Sequence, residues 1–304
     1  VGTVAPIDGH EAAIVGAVHA LDPQHDWVVP QYREPLALRR YGPEILDSYL
    51  LYNLGHPAGG HIPDPIRVLP PQISLGTQIP HAVGIAWGMT LQDEPGIVLV
   101  FFGDGSRSEG DFYEAGNLAG VIKAPVILLC LNNQWAISTH ANFATGSGGF
   151  ASRGLPYGLA SLRVDGNDFL ALYSVTKWAR QRAEAGLGAT HIEVLTYRAG
   201  AHSSSDDPSR YRPGDVHTKW PGGDPIERLR DHLIEIGEWS ADKHAELEER
   251  IDDEVMSAYK EAVSHGDLAT GPYPSSDYIF TEVYQEMPWH LEEQFNEMKG
   301  ESDG

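Results

Sequence analysis

Two apolar runs decide the fold: IVLVFF at 97–102, stopped by GDGS at 103–106, and VILLCL at 126–131, stopped by NN at 132–133. Each run has the length of a strand and contains no charged residue, which is typical of strands buried on both faces of a parallel sheet. Residues 109–123 between them predict a helix, and Ser108 with Asp111 resembles a capping box that opens it. The stretch therefore predicts a strand–helix–strand unit within an α/β fold.

Outward from this unit, helical and extended patterns alternate along the chain. Helices are predicted near 11–21, 36–54, 77–91, 170–185, 225–236 and 241–265, strands at 159–164 and 191–196, and loops at 55–71, 142–155 and 197–213. We expect one doubly wound α/β domain over residues 1–270, trimmed at its N-terminus, with helices on both faces of a mostly parallel sheet. The tail at 271–304 spaces apolar residues among charged ones, and we expect it to pack on a partner subunit.

Composition excludes several classes of protein. Of the 304 residues, 41% are hydrophobic and 21% are charged, which is the balance of a globular chain and not of a disordered one. No run approaches the roughly 20 apolar residues that a membrane helix needs. The net charge of −22 argues against nonspecific binding to nucleic acid. The single cysteine, Cys130, excludes an internal disulfide, and its apolar surroundings predict a buried, inert thiol.

Polar residues follow both central runs at the points where the strands should end. Asp104 and Asn133 are one strand–helix–strand repeat apart, so we expect them at the carboxyl edge of the sheet, where open α/β sheets bind ligands. Carboxylate and amide oxygens suit Mg²⁺, and a turn before a helix N-terminus suits a phosphate. Each motif alone is also a plain turn. Together, on consecutive strands, they predict a clamp for magnesium and a diphosphate.

Gly103-Asp104-Gly105 through Asn132-Asn133 resembles the thiamin-diphosphate motif, and the chain as a whole is similar to the alpha subunit of the E1 component of 2-oxo acid dehydrogenase complexes. The resemblance implies a thiamin-diphosphate-binding fold and covers nearly the whole chain in order. It also rests on Gly9-His10-Glu11-Ala12, Gln31-Tyr32-Arg33-Glu34, Thr77-Gln78-Ile79-Pro80, Ala82-Val83-Gly84, Ser108-Glu109-Gly110-Asp111, Val164-Asp165-Gly166-Asn167-Asp168, Tyr197-Arg198, His202-Ser203-Ser204-Ser205-Asp206-Asp207 and Pro288-Trp289-His290-Leu291.

The resemblance implies the residues that hold the cofactor and its metal. Arg33 would bind the diphosphate, and Arg198 with His202 would close over the phosphates. Taken without the resemblance, either arginine could equally form an ordinary ion pair. Thr77 and Gln78 match a potassium site of some branched-chain members. The implied cofactor contacts are Gln31, Tyr32, Arg33, Leu75, Asp104, Gly105, Ser106, Asn133, Arg198 and His202, and the implied Mg²⁺ ligands are Asp104, Asn133 and the carbonyl oxygen of Trp135.

The loop at 197–213 carries the one side chain that we expect to be catalytic. Gly200 and three consecutive serines predict few packing contacts for His202, so the bound diphosphate would be its anchor. A histidine can carry a proton near neutral pH, and acyl transfer to a lipoyl dithiolane needs a proton donor for the leaving sulfur. The serines at 203–205 could be a phosphorylation site, as in some relatives, or a plain polar loop.

The implied activity is oxidative decarboxylation of a 2-oxo acid, with transfer of the acyl group to the lipoyl group of E2. The family's activating glutamate lies in a separate beta subunit, so we expect half an active site and an α2β2 heterotetramer. The Trp135-Ala136-Ile137-Ser138 context and the Pro-Trp-His-Leu tail favour a branched-chain substrate. Alternatives are a pyruvate or acetoin dehydrogenase alpha subunit, a transketolase-like enzyme, and a scaffolding subunit for a beta chain. We expect a cytoplasmic protein, or a mitochondrial matrix protein in a eukaryote.

Overall fold

The computed structural model describes residues 4–214, 220, 222–266, 275–281 and 284–302. Its strands are β1 (Trp27–Val29), β2 (Val98–Gly103), β3 (Val126–Asn132), β4 (Trp135–Ala136), β5 (Thr139–His140), β6 (Ala160–Asp165) and β7 (Thr190–Leu195). Five of them form one parallel sheet in the order β1-β2-β3-β7-β6. The remaining two, β4 and β5, form a small antiparallel hairpin.

Ten α-helices lie in the described part of the chain. They are α1 (Glu11–His19), α2 (Pro35–Leu38), α3 (Glu44–Leu54), α4 (Gln78–Leu91), α5 (Gly110–Val121), α6 (Phe169–Glu184), α7 (Pro225–Glu235), α8 (Ala241–Ser264), α9 (Tyr278–Thr281) and α10 (Trp289–Ser302). The connections β2–α5–β3 and β6–α6–β7 are the strand–helix–strand units of a parallel sheet.

The sheet separates two apolar layers. Successive side chains of β2 alternate between them: Leu99 and Phe101 belong to one layer, and Val100 and Phe102 to the other. Helices α1 and α6 supply the first layer, and α4 and α5 supply the second. Burying each such side chain contributes about 1.5–3 kcal/mol. The prediction of a doubly wound α/β fold with helices on both faces is confirmed.

The sequence placed the central strands within one residue of their observed bounds. In the structure, Val98 pairs with Val126 and Gly103 with Leu131, in parallel register. Every residue of β3 is buried, as expected for a strand covered on both faces. The two strands end side by side, so Asp104 and Asn133 follow neighbouring strand ends.

Two local predictions are wrong, and one strand was missed. Ser108 does not open α5: residues Gly105–Ser108 form a turn of 3₁₀ helix, the N-cap is Glu109, and no side chain caps the helix. The helix predicted at 36–54 is broken between α2 and α3, because Pro43 cannot donate the hydrogen bond that a continuous helix needs. Strand β1 was not predicted, since its three residues are too few to show a period.

The remaining predictions concern the tail, membranes and the cysteine. Residues 271–274, 282, 283, 303 and 304 of the tail lie outside the described residues, and its packing on a partner stays a prediction. Among the described residues, none of the helices has both the length and the apolar character to cross a bilayer. Cys130 is fully buried in β3, and burial raises the pKa of its thiol to about 12, which agrees with an inert core thiol.

Candidate functional site

A cavity of about 450 Å³ opens at the carboxyl edge of the sheet, next to the ends of β2 and β3. Of the residues implied as cofactor or metal contacts, all but Arg198 line it: Gln31, Tyr32, Arg33, Leu75, Asp104, Gly105, Ser106, Asn133, Trp135 and His202. They come from five separate segments of the chain, and the fold brings them together. This edge is where strand ends of an open α/β sheet converge on a ligand.

Asp104 lines this cavity and has a carboxylate oxygen without a hydrogen-bond partner among the described residues. This oxygen, Oδ2, is buried, and the side chain as a whole is almost fully buried. Burial raises the pKa of Asp104 to about 6, against the opposing effect of the Arg107 guanidinium. A buried carboxylate without a partner is costly unless a cation offsets its charge. The donor chemistry here therefore fits a cation, and a hard divalent ion in particular.

Asn133 turns its amide oxygen toward the hairpin that follows β3. Its Oδ1 accepts a hydrogen bond from the backbone N–H of Trp135 (3.0 Å), and its Nδ2 lies 3.0 Å from Nε2 of His10. The turn passes through Gln134, whose φ of +70° is uncommon outside glycine. His10 is fully buried, and burial followed by the Arg33 charge lowers its pKa to about 3, so the ring is neutral.

The turn after β1 is held by a buried carboxylate that the sequence did not single out. The Oε2 oxygen of Glu34 accepts two hydrogen bonds from backbone groups, the N–H of Gln31 (2.9 Å) and the N–H of Arg33 (3.1 Å). The side-chain oxygen of Gln31 then accepts from the N–H of Gly103 (3.0 Å). Glu34 thus fixes the Gln31–Arg33 turn against the end of β2. The sequence offered one sign of this role: Glu34 follows Gln31 by three residues within the polar tetrapeptide Gln31-Tyr32-Arg33-Glu34.

Arg33 and His202 both line the cavity and are hydrogen-bonded to each other. The guanidinium donates to Nδ1 of His202 (3.1 Å), to its carbonyl oxygen (2.7 Å) and to the carbonyl oxygen of Pro6 (2.6 Å). Burial and the charges of Arg33 and Arg198 lower the pKa of His202 to about 4, so the expectation that this ring carries a second proton near neutral pH is wrong. The ring of His202 also meets Tyr32 edge to face, with centroids 6.1 Å apart. Arg33, expected on the diphosphate, is bound here to two carbonyl groups and to His202.

Arg198 lies behind the cavity and not on its surface. It is buried, and its two terminal nitrogens donate to the carbonyl oxygens of Trp135 and Ile137 (3.2 Å each). Nη2 also donates to the hydroxyl of Tyr211 (2.8 Å), and Nη1 lies 3.4 Å from Nδ1 of His202. Arg198 therefore holds the hairpin backbone after β3, including the Trp135 carbonyl that was expected to face a metal.

The expectation of few packing contacts around His202 is wrong. Its backbone N–H donates to Asp206 (2.7 Å), which also accepts from the hydroxyl of Tyr211 (2.5 Å). Arg212 donates to the carbonyl groups of Arg198, Ala199 and Gly200. The serines suggested an open loop, but the acidic and basic residues around them form a hydrogen-bonded turn that buries Ser203.

Three large apolar side chains are among the residues that line the cavity, and one of them has a strained backbone. Leu75, Ile137 and Phe143 line the cavity and are 42%, 51% and 86% exposed. Ile137 has a φ of +53°, an outlier for a β-branched residue. Such strain is held in place only by surrounding contacts and clusters at functional sites. Here the hydrogen bond from Arg198 to the Ile137 carbonyl is one of those contacts.

Thr77 and Gln78, the two residues that match a potassium site, have different hydrogen-bond partners in the structure. The hydroxyl of Thr77 donates to the Ser74 carbonyl (3.2 Å) and accepts from Gln72. The amide of Gln78 donates to the carbonyl of Phe101 (3.1 Å), and its Oε1 is buried without a partner. Within the described chain, no group of three or more His, Cys, Asp or Glu side chains could hold a metal ion. A metal at this edge would therefore use amide and carbonyl oxygens beside Asp104.

Comparison with known proteins places this geometry in context. The family model for the dehydrogenase E1 component matches residues 1–270. The chain is 44% identical over 290 residues to the 2-oxoisovalerate dehydrogenase subunit alpha of Pseudomonas aeruginosa, covering 90% of this chain and 69% of that protein. It is 38% identical over 303 residues to the pyruvate dehydrogenase E1 component subunit alpha of Acholeplasma laidlawii, covering 99% and 86%. The corresponding subunit of Bacillus cereus is 37% identical over 295 residues, covering 97% and 77%.

Proposed function

We propose a function from one premise: the chain belongs to the dehydrogenase E1 component family. The proposed function is that of the alpha subunit of a 2-oxo acid dehydrogenase, which decarboxylates a 2-oxo acid oxidatively and passes the acyl group to a lipoyl group on E2. The family implies thiamin diphosphate, which supplies a nucleophilic carbon and an electron sink when bound. Residues of this chain would bind the metal and the diphosphate and would contact the substrate.

The proposal rests on one observation: the Oδ2 oxygen of Asp104 is buried and has no hydrogen-bond partner among the described residues. A cation at Oδ2 would offset the charge of a carboxylate that burial otherwise disfavours. Asn133 Oδ1 and the carbonyl oxygen of Trp135 are the two further protein ligands of this proposed Mg²⁺ site, although both already accept hydrogen bonds. Three protein oxygens would leave further coordination positions on Mg²⁺ for phosphate oxygens and water.

The turn after β2 favours a diphosphate next to this cation. Gly105 lines the cavity, and a Cβ at that position would lie 3.1 Å from the Cβ of Ala136, tighter than ordinary contacts. Glycine therefore lets the turn pack against the hairpin while its backbone faces the cavity. Ser106, also on the lining, is buried, so its hydroxyl is available only to groups within the site or to Gln31.

The lining residues also suit the rest of the cofactor and the substrate. Tyr32 and Leu75 supply the apolar contact that a ring needs, and His202 stands beside Tyr32 at the rim. We assign to the Nε2–H of His202 a hydrogen bond to the leaving lipoyl sulfur during acyl transfer; since the ring is neutral at pH 7, the proton that the sulfur takes up would come from water. Its Nδ1 is engaged by Arg33, so Nε2 carries the hydrogen that it would offer.

A branched-chain 2-oxo acid is the substrate that we favour. The relative named for 2-oxoisovalerate is 44% identical, against 38% and 37% for the two relatives named for pyruvate. The apolar lining residues Leu75, Ile137 and Phe143 support the same choice, because an isopropyl group gains more than a methyl group from apolar contact. Pyruvate is the second candidate, supported by the longer shared length of those relatives.

Two partners complete the proposed enzyme: a beta subunit in an α2β2 heterotetramer, and a lipoyl-bearing E2. Among the described residues, two carboxylates line the cavity, Glu34 and Asp104. Glu34 accepts hydrogen bonds from backbone N–H groups, so Asp104 is the lining carboxylate with an oxygen that lacks a partner. The activating acid implied by the resemblance would thus come from the beta subunit.

The decisive experiment is to co-express the chain with its beta partner and to measure decarboxylation of 2-oxoisovalerate and of pyruvate, with and without Mg²⁺ and thiamin diphosphate. We expect a higher kcat/KM for the branched acid and activity only with both additions. Activity that needs neither addition, or none with any 2-oxo acid despite a stable heterotetramer, would overturn the proposed function.

A further inference from the structure

His10 is a buried titratable side chain on the cavity lining to which the proposed function gives no role. It stands at the N-cap of α1, where its carbonyl oxygen accepts the N–H of Ile14 (3.0 Å). The preceding residue, Gly9, is held at the end of β7: the hydroxyl of Thr196 donates to its carbonyl oxygen (2.7 Å). The backbone around His10 is therefore anchored independently of its side chain.

Each ring nitrogen of His10 has one defined partner. Nδ1 lies 3.0 Å from the carbonyl oxygen of Ile7, which can only accept, so Nδ1 carries the hydrogen. In the neutral ring Nε2 then has a lone pair and must accept. The group that faces it, 3.0 Å away, is the side-chain amide of Asn133.

This arrangement decides which way the amide of Asn133 points. With Nδ2 toward His10, the amide donates to the lone pair of Nε2, and Oδ1 accepts the N–H of Trp135 (3.0 Å). The reversed amide would set two lone pairs against each other at His10 and two N–H groups against each other at Trp135. Both hydrogen bonds would be lost in a buried place, where each unsatisfied group costs about 1–3 kcal/mol.

We infer that His10 is a positioning residue for the proposed metal site: its Nε2 holds the Nδ2 end of the Asn133 amide, which leaves Oδ1, and not the NH₂ group, as the atom available to the cation. The inference rests on the proposed function, because it assigns Oδ1 of Asn133 to the cation. An NH₂ group in that place would repel a cation. His10 acts only through Asn133 and does not itself touch the metal.

The test compares three variants in the heterotetramer with saturating thiamin diphosphate: His10→Phe, His10→Gln and, as a control, His191→Phe. Phenylalanine removes the acceptor, whereas the side-chain oxygen of glutamine can stand in the place of Nε2. His191 is an equally buried histidine on β7 whose ring contacts Phe102 and Phe112 and whose Nδ1 faces the carbonyl oxygen of Ala151, not Asn133. The readout is the dissociation constant of Mn²⁺ by electron paramagnetic resonance, which requires no turnover.

We expect His10→Phe to weaken Mn²⁺ binding about 10- to 100-fold, as is usual when a residue that orients a ligand is removed. His10→Gln should restore an affinity near that of the unaltered protein, and His191→Phe should leave it unchanged. With Mn²⁺ saturating, kcat should recover in His10→Phe, so that the defect appears in the metal requirement.

Unaltered Mn²⁺ affinity in His10→Phe would overturn the inference, and so would equal weakening in His10→Gln and His10→Phe. Urea unfolding without metal separates a folding defect: His10→Phe and His191→Phe should both shift the midpoint, but only the former should lose metal. Asp104→Ala distinguishes the two proposals. If it also binds Mn²⁺ normally, the magnesium site itself fails, and the role of His10 fails with it.

Discussion

Arg33 and His202, 169 positions apart in the chain, are joined by two hydrogen bonds from one guanidinium nitrogen: Nη2 donates to Nδ1 of the ring (3.1 Å) and to the carbonyl oxygen (2.7 Å). A guanidinium can only donate, so Nδ1 accepts and the neutral ring keeps its hydrogen on Nε2. With its pKa lowered to about 4, His202 is neutral at pH 7. It therefore offers one N–H while the other side of the ring is held in place.

His202→Ala should slow acyl transfer to a lipoyl domain more than it slows decarboxylation measured with an artificial electron acceptor. Removing a hydrogen-bond donor that stabilises developing negative charge typically costs roughly 10²–10³-fold, and only the transfer step develops charge on the leaving sulfur. The two assays on the same heterotetramer give the ratio, and the surface variant His244→Ala serves as a control. Equal losses in both assays would mean that His202 only positions the cofactor, and no loss would remove it from the mechanism.

Asp104→Asn should separate stability from metal binding. Because burial raises the pKa of Asp104 from 3.8 to about 6, keeping it charged at pH 7 in the folded chain costs free energy when no cation is present. The amide removes this cost, so the free energy of unfolding without metal should rise by about 1–3 kcal/mol. Mg²⁺-dependent binding of thiamin diphosphate should disappear. Calorimetric titration and urea unfolding measure the two effects, and retained Mg²⁺ dependence would contradict the site.

His191 should make the folded state sensitive to mild acid. Burial lowers its pKa from 6.5 to about 4, so between these values the unfolded chain binds a proton that the folded chain does not. Stability from this group is complete above pH 6.5 and falls as the pH drops toward 4. Between pH 7 and pH 5 the loss is about 2 kcal/mol.

The comparison with His191→Phe isolates this effect from other groups. Glu11 and Asp104 titrate in the opposite sense, because burial raises the pKa of Glu11 to about 7 and that of Asp104 to about 6. Urea unfolding at both pH values should give a smaller acid loss in His191→Phe than in the unaltered chain. Identical losses would mean that His191 is not the group that titrates.

The tail should bind a partner subunit. Trp289, Ile279 and Tyr284 are 75%, 68% and 55% exposed, which is costly for large apolar side chains unless another surface covers them. Trp289→Ala should weaken assembly with the beta subunit by about 2 kcal/mol or more, the usual effect of truncating an anchoring tryptophan. Light scattering over a dilution series measures it. Leu187→Ala, on an exposed turn, is the control, and unchanged assembly in Trp289→Ala would exclude the tail from the interface.

The sequence predicted the sheet well because the central strands are buried on both faces. An uninterrupted apolar run leaves few alternatives, and the polar residues that stop it, Asp104 and Asn133, mark the edge where the cavity lies. The short strand β1 could not be found in this way. Its residues become a strand only because β2 offers its edge, which is a tertiary contact.

Hydrogen bonds between segments that are distant in the chain could not be predicted from the sequence either. His10 and Asn133 are 123 positions apart, and nothing in either local pattern indicates the other. Arg198 is expected from the sequence to close over the phosphates, whereas the fold buries it against the hairpin after β3. Local pattern identifies the residue types of a site, whereas their orientation depends on which loops the sheet brings side by side.

The buried thiol of Cys130 gives the chain a practical advantage for spectroscopy. It is the only cysteine in 304 residues, and with its pKa near 12 it is essentially never a thiolate at the pH of a maleimide or methanethiosulfonate reaction. A cysteine introduced at an exposed position, such as Ser205 beside His202, would therefore be labelled alone, without first removing a native thiol. A spin label there would report directly whether the loop moves when thiamin diphosphate is added.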